Sequence, residues 1–158
     1  MTKMTDLYPD GAGYHQAHDP YIAAVAKAVA AVGYPVDDWS AEPNDPRDGY
    51  IGLNVDLLSE TSTKAIWTNE EVNLAWTEDR GWALVTVTES HRSDGRFVYD
   101  LPVARVASPS TMAFALAEQV GDDVTVQPDN HPDLDFDHSF EDDDVPFELA
   151  LRHYAEKP

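Results

Sequence analysis

Cysteine is absent from the 158 residues, which removes disulfides, thiolate zinc centres and cysteine nucleophiles together. Lysine is scarce, occurring four times, and all basic residues number 10 against 30 acidic ones, a formal charge of −20. A field of that sign repels nucleic acid and anionic membranes and attracts basic proteins or divalent cations. No stretch approaches the ~18 apolar residues of a membrane span. Met1 to Asp19 holds one lysine and no apolar core of the kind a secretory leader needs, so a cytoplasmic protein is the expectation. A nucleophile elbow and a glycine-rich phosphate loop are also missing. With 30 carboxylates to choose from, their number singles out no acid–base pair.

The chain does contain enough apolar material for a core: 42% of residues, including 4 Trp, 7 Tyr and 5 Phe. Its length suits one domain plus a tail. Charge is segregated along it. Residues 122–158 carry 12 acids and 2 bases, whereas residues 91–121 carry 3 of each. Asp outnumbers Glu by 20 to 10, a bias that a high-GC genome or a salt-adapted proteome also produces, and under that reading the charge names no partner.

Residues 1–18 read as a polar lead-in. Asp19-Pro20 then has the chemistry of a helix start, Ile22, Val25, Val29 and Val32 recur at helical spacing, and Gly33 is placed to end the run, which predicts a helix over 20–32. Residues 35–48 contain Pro35, Pro43 and Pro46 and read as a loop in which Trp39 needs a place to bury. Ile51, Leu53, Val55 and Leu57 alternate with polar or small residues, as do Val72, Leu74 and Trp76, and both runs predict strands. Glu78-Asp79-Arg80-Gly81 makes a hairpin turn into a strand over 82–88. Ser93-Asp94-Gly95 turns into a fourth strand ending near Pro102. Ser108-Pro109 opens a second helix that Gly121 closes. The expectation is an α+β domain over 19–121. It has two layers, an antiparallel meander of about four strands covered by two helices. The acidic tail, 122–158, ends in a short helix with Phe147, Leu151 and Tyr154 on one face.

The two-tryptophan hairpin Leu74-Ala75-Trp76-Thr77-Glu78-Asp79-Arg80-Gly81-Trp82, with Tyr21-Ile22-Ala23-Ala24-Val25 on the first helix, resembles an actinobacterial family known as domain of unknown function 6292. The resemblance covers roughly residues 20–121. It implies a high-GC actinobacterial source and a compact α+β domain, and it brings no activity, cofactor or catalytic residue. The acidic tail lies outside its pattern.

Three sets of residues invite a functional reading. Asp133, Asp135 and Asp137, followed by Glu141 and Asp144, place hard oxygen ligands at alternating positions that suit Ca²⁺. Against an EF-hand loop, His138 stands where glycine is required and Asp144 where the longer Glu is, so a solvated acidic tail is the plainer account and no cofactor is expected. His15 and His18 lie three apart beside Asp19, without a second ligand cluster to complete a transition-metal site. Trp76 and Trp82 flank a turn, and one of them exposed would make a contact residue, with the acidic run Glu141, Asp142, Asp143 and Asp144 as a second contact. The functional expectation is a non-enzymatic, adaptor-type domain that engages a basic protein. One alternative is an acidic mimic of DNA, and another is an enzyme or small-ligand receptor with a pocket between sheet and helices.

Overall fold

The computed structural model describes residues 13–44, 46–54, 70–88, 96–120 and 145–156. Helix α1 spans Asp19–Ala31, and Gly33 turns the chain after it at φ 106°. Its inward stripe is Tyr21, Ile22, Val25, Ala26 and Val29, which follow the 3.6-residue period. The cap differs from the sequence expectation. His18 occupies the capping position without a side-chain cap bond, because its ring is turned into the protein interior.

Five strands follow: β1 (Val36–Glu42), β2 (Asp48–Leu53), β3 (Glu70–Thr77), β4 (Gly81–Thr88) and β5 (Arg96–Asp100). They lie in the order β1-β2-β3-β4-β5 with every neighbouring pair antiparallel, so the sheet is an open meander as expected. The additional strand is β1, which the proline-rich reading of 35–48 took for loop. Its prolines lie at Pro35, before it, and at Pro43 and Pro46, in the turn after it, so none removes a ladder donor. Trp39, on this edge strand, remains 40% exposed rather than buried. Between β3 and β4 the turn leaves through Gly81 at φ 82°, a conformation other residues adopt at a cost.

The register explains which face is apolar. Gly49, Trp76 and Trp82 form one cross-strand row, and Ile51, Leu74 and Leu84 the next. These rows share a core with α1 and with helix α2 (Pro109–Val120), which packs beside α1 through Met112, Leu116, Ala117 and Val120. The helix α2 is capped as its sequence predicts, with the Thr111 N–H donating to Ser108 Oγ at 3.3 Å.

Helix α3 (Val145–Arg152) and a 3₁₀ turn (His153–Glu156) complete the described chain. A boundary at Gly121 does not divide this packing. Phe147, Leu151 and Tyr154 belong to the same core cluster as α1 and the sheet. The lead-in over 1–18 is likewise not wholly loose, since Tyr14 and His18 are buried. Both segments gather around one buried charge that the meander alone leaves only partly paired.

Candidate functional site

That charge is Arg47, in the turn between β1 and β2, whose side chain is fully buried. Its Nε–H donates to Glu78 Oε1 at 3.0 Å, and NH2 donates to Glu78 Oε1 at 2.8 Å and to Glu148 Oε2 at 2.5 Å. NH1 donates to Glu148 Oε1 at 3.1 Å and to the Tyr14 carbonyl at 2.8 Å. All five guanidinium donors are thus engaged. The Arg47 backbone N–H adds a bond to Glu78 Oε2, and the guanidinium lies 3.8 Å above the centre of the Tyr14 ring. Arg152, one turn after Glu148 on α3, donates to Glu148 Oε1 at 2.6 Å. Two cations therefore meet two carboxylates. Burial works against the Arg47 charge, but the bonds from Glu148 and then Glu78 overcome it and hold the group above its ordinary range.

His18 lies next to this knot, stacked on Trp76 with ring centroids 5.7 Å apart. Its Nε2–H faces the carbonyls of Glu42 at 2.9 Å and Asp48 at 2.8 Å, and Nδ1 has no hydrogen-bond partner. Burial pushes its pKa down and the Arg47 charge adds to that effect, while the bonds to the Asp48 and Glu42 carbonyls partly oppose it. A neutral imidazole donating through Nε2 fits these contacts. Its Nε2 is thus committed to the two carbonyls. Among the described residues no group of three or more His, Asp or Glu is arranged to hold one.

The hairpin tryptophans take a different place from the one expected. Trp76 and Trp82 face each other across the hairpin on its inner side and are 0% and 2% exposed. Their indole N–H groups are satisfied internally. Trp76 donates to the Arg105 carbonyl at 2.7 Å, and Trp82 to the Tyr21 hydroxyl at 2.9 Å, which in turn donates to the Ala107 carbonyl at 2.5 Å. Neither side chain offers a contact surface. Asp133, Asp135, Asp137, Glu141, Asp142, Asp143 and Asp144 lie outside the described residues.

What the surface does present is the β1–β2 hairpin. Asp38, Ser40, Glu42 and Tyr50 share the sheet face opposite the core rows. The Tyr50 hydroxyl donates to Asp38 Oδ2 at 2.8 Å, and that bond raises the phenol above its ordinary range. Ser40 donates to Glu42 Oε1 at 3.0 Å. Gly52 leaves room for the Asp38 carboxylate, since a Cβ there would lie 2.5 Å from Oδ1. Asp37, Asp38 and Glu42 are exposed, while Arg47, the one basic residue between 36 and 54, is buried. Sequence reasoning passed over this face because it read 35–48 as loop. It passed over Arg47 because the partner Glu148 is 101 residues away. The one available sign was a lone arginine in an otherwise acidic hairpin.

No helix among the described residues is long and apolar enough to cross a membrane. No curated protein and no solved structure matches the chain. Residues 21–118, which run from α1 through α2 and contain Arg47, Glu78 and both hairpin tryptophans, match a family described as a family of unknown function, DUF6292. This α+β meander with its three helices belongs to the DUF6292 family.

Proposed function

We propose that the chain is a non-enzymatic binding protein and that the outer face of the β1–β2 hairpin engages a basic protein partner. The observation that carries this reading is the distribution of charge on the hairpin. Its carboxylates Asp38 and Glu42 stand exposed on the same face as the exposed Tyr50, Asp37 is exposed beside them in the chain, and its single cation is withdrawn into the interior. An aromatic ring with acidic neighbours suits the guanidinium and ammonium groups of a basic surface. The buried Arg47, Glu78 and Glu148, by contrast, are engaged with one another.

The DNA-mimic reading has one observation in its favour. Asp38 and Glu42 each accept a hydroxyl hydrogen bond, which restrains carboxylates that a mimic has to hold in place. The test separates the two. The protein and its Asp38→Lys/Glu42→Lys variant are immobilised and exposed to lysate at about 0.15 M and about 1 M salt, where screening lengths are ~8 Å and ~3 Å. Basic proteins held by the parent at low salt, and lost by the variant and at high salt, are the expected result. Displacement of those proteins by duplex DNA favours the mimic. Equal retention by parent and variant refutes a role for this face.

A further inference from the structure

Helix α3 is held in a way that distinguishes recognition from simple core filling. Lifting it out together with the 3₁₀ turn that follows removes Phe147, Leu151 and Tyr154 from the core and leaves Arg47 with two of its five donors unused, one each on NH1 and NH2, which had been directed at the two oxygens of one carboxylate. The Tyr14 ring lies against the guanidinium, and the Tyr21 ring lies 5.1 Å from that of Tyr154. The seat is therefore an apolar groove with a fixed bidentate carboxylate receptor in it. A buried ion pair adds little net stability over apolar residues of similar size, while a wrong occupant leaves the arginine unpaired and is penalised heavily, so such a pair selects its partner. Glu78 and Arg47 lie inside the matched family segment, residues 21–118, and Glu148 lies beyond it.

We infer that the seat is a receptor for an acid-bearing amphipathic helix, which this chain fills with its own residues 145–156. The ligand chemistry is an apolar residue followed directly by Glu, then apolar and tyrosine side chains at the spacing of Phe147, Leu151 and Tyr154. Residues 121–144 connect α2 to this helix, so the occupant is tethered and its attachment is a separate matter from its binding.

A protease site placed between residues 130 and 131 of the full chain allows the tether to be cut. A fluorescent peptide of residues 143–158 is then titrated onto cut and uncut protein and followed by anisotropy. Cut protein exchanges its helix for the peptide, uncut protein binds it at least about tenfold more weakly because the seat is filled in cis, and a Glu148→Gln peptide loses about tenfold or more in affinity. Three results overturn the inference. The cut fragments can co-elute and never exchange with ~1 mM peptide, the Glu148→Gln peptide can bind as well as the parent, or the cut protein can unfold. Loss of basic partners from the hairpin face affects none of these readings.

Discussion

Replacing Arg47 by methionine tests the charge knot most directly. The substitution keeps much of the side-chain volume and removes all five donors, so Glu78 and Glu148 are left buried beside each other, with Arg152 bonded to one of them. Removing one partner of a buried pair costs about 3–5 kcal/mol, out of a total stability of ~5–15 kcal/mol for a domain. With a urea slope of ~2 kcal/mol per molar, a loss of that size lowers the unfolding midpoint by roughly 2 M. The transition is read from the fluorescence of the buried Trp76 and Trp82. A compensated variant, Arg47→Met/Glu78→Gln/Glu148→Met, separates lost charge pairing from lost packing. Gln at 78 still offers an oxygen to the position-47 backbone N–H. Apolar replacement of a buried ionic cluster ranges from neutral to stabilising, so most of the lost midpoint returns. A midpoint for Arg47→Met within ~0.3 M of the parent would falsify the assignment of Arg47 as the centre of the fold's ionic contacts. A triple variant as unstable as the single one would instead mean that guanidinium packing, not charge, is what matters.

Three further outcomes follow from other contacts. Burial lowers the pKa of His18 in the folded state, so just below its ordinary value of 6.5 the unfolded chain binds a proton more readily than the folded chain does. Its contribution is complete above that pH and is lost as pH falls below it; urea midpoints from about pH 8 to 5 decline in the parent and flatten in His18→Gln, and equal slopes exclude His18 as the cause. Removing residues 145–158 takes two fully buried side chains, Phe147 and Leu151, and leaves two of the five Arg47 donors without an acceptor. A loss of about 5 kcal/mol or more is expected, and a truncated chain melting within a few degrees of the parent contradicts it. Tyr21→Phe strands the Trp82 indole N–H and the Ala107 carbonyl, at a cost of about 1–3 kcal/mol by chemical denaturation, and no measurable cost shows that the two groups find other partners.

Local chemistry made much of this fold legible. The Ser108 cap, the glycine after α1, the 78–81 turn and the alternation along β3 each carry their cause within a few residues, and each element stands where that chemistry puts it. β1 was not legible. As an edge strand it carries exposed Asp37, Asp38 and Trp39, the composition of a loop, and only pairing with β2 makes it a strand. The tryptophans were legible as a pair and not as buried, because the face on which both lie becomes the inner one only when the whole sheet packs against the helices. Glu78 reads as a turn residue and Glu148 as one acid of an acidic tail. What converts them into interior groups is the arginine between them, and partnership across 31 and 101 residues leaves no periodic trace.

The same separation sets a timetable during synthesis. Each strand pairs with the one made just before it, so the meander can close progressively as the chain emerges. Arg47 cannot be completed in that way. Its first carboxylate, Glu78, follows 31 residues later and its second, Glu148, 101 residues later. At ~5–20 residues per second the second wait is ~5–20 s. For the last part of that interval, once β5 (Arg96–Asp100) has been made, a ribosome-bound chain carries a finished sheet with a partly satisfied cation in an open groove, and the helix that closes the groove is the last described α-helix to emerge.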